Sequence, residues 1–354
     1  MNYKTLSLSN KNDWKKYLQK LPVEQQDVYY TPEYYELYEN YGDGKAQCFV
    51  FEKDGEIALY PFLLNSINTL GYELDKKYFD IQGAYGYNGV LSSCYAEEFK
   101  KDFYTSFNKF CQNNNVIAEF TRFNPYIENH NFSNAHLQIL LNRKTVVLNI
   151  NNSIDKLWKN SLSSKNRNMI RKALKKHYSV TINNSKSGVR SFYKIYLETM
   201  KGIYVDSYYY FNEDMFFKML DIPEFHFLFA EDKGNNKVAS MILMVYGKYA
   251  HYHLSGRDIE KADNSVNNYM LYEAIKFAKN KGANIFHFGG GNALDENDSL
   301  FRFKKGFSNT YLDFYIGKKV FNQKIYDKVI SQWKIEYPES YTKNSNKLLG
   351  YREI

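Results

Sequence analysis

The run His287-Phe288-Gly289-Gly290-Gly291-Asn292 is followed by Ser299-Leu300-Phe301-Arg302-Phe303-Lys304-Lys305-Gly306-Phe307. Three consecutive glycines at a strand end let backbone amides face a ligand with no side chain in the way. A lysine pair set between Phe303 and Phe307 is partly desolvated and acts strongly on nearby negative charge. Acyl transfer develops an oxyanion, which such a cation stabilises. The competing structural reading is a loop followed by an edge strand with solvated lysines.

Other candidates lie outside this run. Arg167, Arg171 and Lys175 are spaced four apart in Lys165–Lys176, so on a helix they form one cationic face, opposed by Ile170, Ala173 and Leu174. Arginine forks bind phosphate through two oxygens, so Arg167 and Arg171 are candidates for holding a phosphate-bearing substrate. A solvated helix face fits the same pattern. The run Tyr204–Phe211, with Tyr208 inside it, suits sugar or peptide stacking, or plain packing. His251 and His253 alternate with Tyr252, and without a third ligand a metal site is not indicated. His253 or His287 could accept a proton near neutral pH, with Asp80 as a competing base. No Gly-x-Ser-x-Gly elbow or Cys/His signature points to a covalent nucleophile.

The elements that must position these residues alternate between helix and strand. In the first half, Thr31–Tyr41 reads as a capped helix, and Cys48–Glu52 with Ile57–Leu63 as a hairpin turned by Asp54-Gly55. Tyr78–Gly89, with three glycines among tyrosines, reads as a loop of close backbone approach. Glu97–Asn113 is an amphipathic helix leading to a buried strand, Val116–Phe120, and Thr145–Ile150 is another strand. A polar stretch after 150 marks the expected boundary between domains 1–150 and 151–354. In the second half, Ser164–His177, Ser187–Gly202 and Asn212–Leu220 read as helices. Phe225–Glu231, Lys237–Tyr246 and Tyr249–Ser255 read as strands. A helix from Asn268 to Lys281 leads to a short strand, Ile285–Phe288, and a final strand runs near Tyr311–Ile316.

Composition bounds the rest. The chain has 354 residues, 44% hydrophobic and 18% aromatic, which excludes disorder and suits two domains. A formal net charge of +8 favours anionic partners or is simply a solvated surface. Cys48, Cys94 and Cys111 form no zinc or disulfide spacing, and no stretch is apolar enough to span a membrane. The expected location is the cytoplasm, with peripheral contact at the inner membrane face.

Taken together, several motifs resemble the Fem-type (FemABX) transferases and related GNAT-like acyltransferases. They are Leu271–Ala278 with Gly282, then Phe286-His287-Phe288-Gly289-Gly290, then Leu300–Phe307. In the first half, Tyr85-Gly86-Tyr87-Asn88-Gly89 and Arg122-Phe123-Asn124-Pro125 resemble elements of that family's first domain. The resemblance covers roughly 25–315. It implies an α/β (α+β) chain of two tandem GNAT-like domains with mixed, mostly antiparallel sheets flanked by helices. The first would be degenerate and bind the acceptor, and the second would be catalytic. It also implies transfer of an acyl or aminoacyl group to an amine of a cell-envelope precursor. Lys304 would stabilise the transition state beside Phe303, with no tightly bound cofactor. Gly289, Gly290, Gly291 and Asn268 would contact the donor, which is aminoacyl-tRNA or acyl-CoA. Tyr85, Tyr87, Gly89, Arg122, Arg167, Arg171, Tyr208 and His253 would contact the acceptor, a lipid-linked or nucleotide-sugar precursor.

Two departures matter. The stretch Gly256–Asn268 lacks the glycines of a CoA pyrophosphate loop. The helical arm of some Fem proteins is also absent. A non-catalytic binding protein on a degenerate GNAT scaffold is the alternative from a different class.

Overall fold

The computed structural model describes residues 3–202, 207–292, 295 and 297–354. Contacts divide the chain into two units, 1–142 with 314–354, and 143–313. The last forty-one residues therefore pack with the first half of the chain, whereas the sequence places them with the second.

Strand β1 (Tyr3–Ser7) and helix α1 (Lys11–Lys20) precede α2 (Pro32–Tyr41), whose N-cap Thr31 accepts from Tyr34 N. Strands β2 (Lys45–Lys53) and β3 (Glu56–Ser66) form the expected hairpin. Its turn places Asp54 and Gly55 at φ 54° and 83°, the left-handed pair that closes a two-residue hairpin. Strand β4 (Phe79–Gln82) lies inside the stretch read from sequence as a loop; Tyr78 and the part after Gln82 are irregular. Strand β5 (Leu91–Ser92), helix α3 (Glu97–Asn113), β6 (Val116–Arg122) and α4 (His130–Ser133) follow. The α3 face Phe99, Phe103, Phe107 and Phe110 packs on Phe49, Phe51, Tyr60 and Phe62 of the sheet. That face repeats at helical spacing, which is why the sequence displays it.

Strand β7 (Gln138–Asn149) carries the chain into the second unit. There follow α5 (Ile154–Asn160), α6 (Ser164–Lys175), β8 (Ser179–Ile182), α7 (Lys186–Gly202) and α8 (Glu213–Met219). Next are β9 (Phe225–Glu231), β10 (Lys237–Tyr246), β11 (Tyr249–Arg257), α9 (Ser265–Asn280) and β12 (Ile285–Gly290). Last come α10 (Ser299–Lys305) and β13 (Thr310–Val320), then α11 (Gln323–Glu336) and α12 (Pro338–Asn344) of the first unit.

The same topology occurs in both units. In the first, β2, β3 and β4 are antiparallel neighbours, and α3 crosses over to β6, which runs parallel to β4. In the second, β9, β10 and β11 are antiparallel, and α9 crosses over to β12, which runs parallel to β11. Each last strand has an antiparallel neighbour delivered by the other half of the chain. Strand β7, which follows β6, pairs with β12, and β13, which follows β12, pairs with β6. The second unit's core is formed by Ala274, Ile275 and Ala278 of α9, Ile170 and Ala173 of α6, and Phe286 and Phe288 of β12.

Candidate active site at the end of β12

Strands β11 and β12 are paired only through Tyr249 with Ile285, Ala250 with Phe286, and His251 with His287. Beyond that level β11 continues to Arg257 against β10, and β12 continues to Gly290 against β7, so the two part. Each strand carries an extra residue at the parting: His253 against β10, and Phe288 against β7. A bulge bends its strand and increases local twist, so a pair at one level opens a gap between neighbouring strands.

Lys304 is placed at this gap. The stretch Ser299–Lys305 is a helix, not the edge strand of the structural reading, and Asp298 caps it by accepting from Phe301 N at 2.7 Å. The second Asp298 oxygen accepts from Asn292 N at 3.1 Å. Lys304 is 6% exposed; its Nζ donates to Gly290 O at 2.7 Å and lies 5.7 Å from the Tyr252 ring centroid. Burial is the main cause that brings the Lys304 ammonium down to about 7; Asp298 opposes the shift and Arg143 adds to it.

The glycines have a further use beside the amide presentation expected from sequence. Gly289 sits at φ +76°, and a Cβ there would stand 3.3 Å from Lys304 Nζ. At Gly290 a Cβ would press on Arg143 Cδ and Lys144 O, both at 2.9 Å, and at Gly291 it would collide with Asp298. The run is bare so that charged groups can pack onto its backbone. The carbonyls are the groups in use: Gly290 O accepts from Lys304, and Gly291 O from Arg143 at 2.7 Å. Arg143 was not singled out in the sequence, because nothing in Asn142-Arg143-Lys144 reveals that β7 will border β12. Tyr252 was also missed, although its alternation with His251 and His253 sets it on the opposite strand face, toward the core that holds Phe286 and Phe288.

His287 is 5% exposed, and its ring meets that of His251 edge-on at 5.6 Å. Burial, then His251 and Lys304, holds the His287 imidazole well below its ordinary range. His253 is brought down to about 3 by burial and by His251, and its ring stands edge-on to Phe225. Both imidazoles are therefore neutral at neutral pH. Phe303 meets Phe307 edge-on at 5.7 Å, and Asn268 is buried at the end of the first turn of α9.

Other sequence candidates lie elsewhere. Asp80 belongs to the first unit, fully buried; Tyr351 Oη donates to it at 2.6 Å, and Arg352 Nε donates to both its oxygens at 2.8 and 3.0 Å. Burial raises its carboxyl pKa, and Arg352 and Tyr351 work against that. With both oxygens committed, Asp80 anchors the C-terminal segment, which replaces the proton-accepting role considered for it.

Tyr85, Tyr87 and Gly89 lie in one loop of the first unit, which Arg122 reaches from the end of β6. Tyr85 O accepts from Tyr34 Oη at 2.5 Å, and the Tyr87 ring sits edge-on between Tyr29 and Phe314. Arg122 donates to Gly83 O and Ala84 O at 3.3 and 3.2 Å, and Gly89, at φ +103°, leaves no room for a Cβ beside Asn129.

In the second unit, Arg167 is not part of an open cationic face. Its guanidinium is turned onto the carbonyls that end α5, donating to Trp158 O, Lys159 O and Leu162 O. Arg171 is exposed; it donates to Asn168 Oδ1 at 2.9 Å and covers the Trp158 ring. Tyr208 stacks edge-on with Tyr209 and Phe211, while Tyr204, Val205 and Asp206 of the same run lie outside the described residues.

At the start of α9, Asp263 accepts from Ser265 N at 3.0 Å and pairs with Lys172 and Lys176 at 2.7 and 2.9 Å. Burial would raise its carboxyl, but Lys172, Ser265 and Lys176 hold it well below the usual range. A carboxylate thus already lies where a helix N-terminus would offer amides to a phosphate. Among the described residues, no group of three or more His, Cys, Asp or Glu side chains could hold a metal ion.

Residues 162–305 match the family model described as an acetyltransferase (GNAT) domain. Over 129 residues the chain is 32% identical to a lipid II:glycine glycyltransferase of Staphylococcus haemolyticus (strain JCSC1435). That stretch is 35% of this chain and 30% of the glycyltransferase, so the match spans less than a third of that relative. The fold superimposes on the crystal structure of FemX with a TM-score of 0.69 at 15% identity, covering 92% of this chain and 99% of that one. It also resembles a tandem GNAT protein from the clavulanic acid biosynthesis pathway, with a TM-score of 0.51 at 8% identity over 89% of this chain and 98% of that one. The repeated α/β topology, the domain model and these likenesses agree: residues 162–305 form a GNAT-type acyltransferase domain, and the chain resembles the Fem-type transferases in fold.

Proposed function

We propose that the second unit transfers an acyl or aminoacyl group to an amine of a cell-envelope precursor, by direct attack and without a covalent enzyme intermediate. The observation that carries this reading is Lys304. A buried ammonium, held 2.7 Å from Gly290 O where β11 and β12 part, would stabilise an oxyanion forming in the gap. The proton released by the amine would pass to the departing oxygen or sulfur of the donor, because burial leaves His287 and His253 too weakly basic to hold it. The first unit would serve the acceptor through Tyr85, Tyr87, Gly89 and Arg122. The name of the staphylococcal relative supports a peptidoglycan precursor as that acceptor.

For the donor, Asp263 at the start of α9 favours aminoacyl-tRNA over acyl-CoA, because its carboxylate already takes up the Ser265 amide that a pyrophosphate would use. RNase treatment separates the two: a tRNA-dependent transfer stops, and a CoA-dependent one continues. The central test is Lys304→Ala assayed with lipid II or its nucleotide precursor and charged tRNA. Transfer falls by about a hundredfold or more while the circular dichroism spectrum is unchanged. A Lys304→Ala protein of undiminished activity would remove the assignment. A wild-type protein that binds precursor but transfers nothing from either donor would be a binding protein on this scaffold.

A further inference from the structure

Between Lys156 and Leu197 the chain has eleven Lys or Arg and no Asp or Glu, leaving 36 of its 47 basic residues against all 39 acidic ones elsewhere. The basic surplus of the whole protein is therefore confined to this segment. Eight of the eleven lie on α5 and α6 or next to them. Arg167 is spent on the end of α5, and Lys172 and Lys176 share Asp263. Lys156, Lys159, Lys165 and Lys175 are exposed, with no carboxylate partner among the described residues. Leu174, 49% exposed, adjoins Lys175 and lies one turn after Arg171 on α6, although the helical pattern groups it with the buried Ile170 and Ala173. Beside it, Arg171 covers the half-buried Trp158.

We propose that this α5–α6 face docks the protein on an anionic lipid bilayer. Lysines attract the negative surface, and the uncovered Leu174 reaches toward the acyl boundary. A nucleic acid would be served by the lysines but gains nothing from an exposed leucine, and the face lacks the aromatic rings that stack bases. The face is also fixed to the Lys304 helix. Ser163 N donates to Gly306 O at 2.8 Å, and the buried Asn166 side chain packs where a Cβ on Gly306 would lie. Docking through α6 therefore holds α10 at a set distance from the membrane surface. Among the described residues no helix is long and apolar enough to cross a membrane, so the contact is peripheral.

The test is co-sedimentation of the full chain with phosphatidylcholine vesicles, with and without about a third phosphatidylglycerol, at physiological salt. No acyl donor is involved, so the result is independent of the transferase reading. The protein sediments with the anionic vesicles only. The combined K159E, K165E and K175E variant weakens binding by more than about tenfold. Leu174→Ser, with every charge intact, weakens it by roughly threefold or more, which simple charge attraction does not predict. Thermal melting and circular dichroism confirm that both variants fold. Anionic-vesicle binding that is indifferent to Leu174→Ser, absent binding, or a preference for bulk tRNA that displaces the vesicles would each overturn the proposal.

Discussion

Lys304 Nζ is 2.7 Å from the carbonyl oxygen of Gly290, so the cation at the end of α10 is fastened to the strand end it faces. The two residues come from one loop's two sides, and their geometry makes the lysine's protonation, surroundings and nearest glycine open to measurement.

The charged form of Lys304 is the one that stabilises an oxyanion, and burial brings it down to about 7. Transfer activity falls as pH rises through about 7, and the limb is read from kcat against pH. Stability moves the opposite way. Unfolded, the lysine keeps its proton into the ordinary lysine range, so above about 7 the unfolded chain binds more protons and stability rises with pH. Lys304→Met removes that part of the rise, seen as a smaller change in urea midpoint between pH values on either side of 7.

Tyr252 presents its ring to the same ammonium. Tyr252→Leu lowers the midpoint of the activity limb by roughly one pH unit, and Tyr252→Phe, which keeps the ring, does not. An unchanged profile in both variants would show that the ring has no part in holding the charge.

At Gly289 a methyl group would meet both a left-handed backbone and Lys304 Nζ. Gly289→Ala reduces kcat by roughly tenfold or more through displacement of Lys304, with a smaller effect on KM. A shift in KM alone would place the glycine's role in binding instead.

In the first unit, Arg352→Ala leaves the Asp80 carboxylate buried without its cation. Unfolding free energy falls by about 3–5 kcal/mol, read by denaturant titration. Asp80→Asn, which removes the charge but keeps an acceptor for Tyr351, costs less.

The sequence alone determined the elements whose residues repeat at a fixed spacing or form an unbroken apolar run. α3 from Glu97 to Asn113 matches its expected bounds because a helix that packs on one face shows its period, and β9 and β10 match theirs as continuous apolar runs buried on both faces. It also marked Gly289–Gly291 and Lys304 as a group, because the two motifs lie close along the chain. Tertiary structure decided what no local pattern encodes. Arg143 reaches Gly291 because β7 pairs with β12, and Arg352 reaches Asp80 because the C-terminal segment packs with the first unit. Leu174 follows its helix's apolar pattern yet stays exposed, since burial depends on which neighbour arrives, not on the helix itself. The gap beside Lys304 likewise arises from two bulges, at His253 and Phe288, which only strand pairing can place at one level.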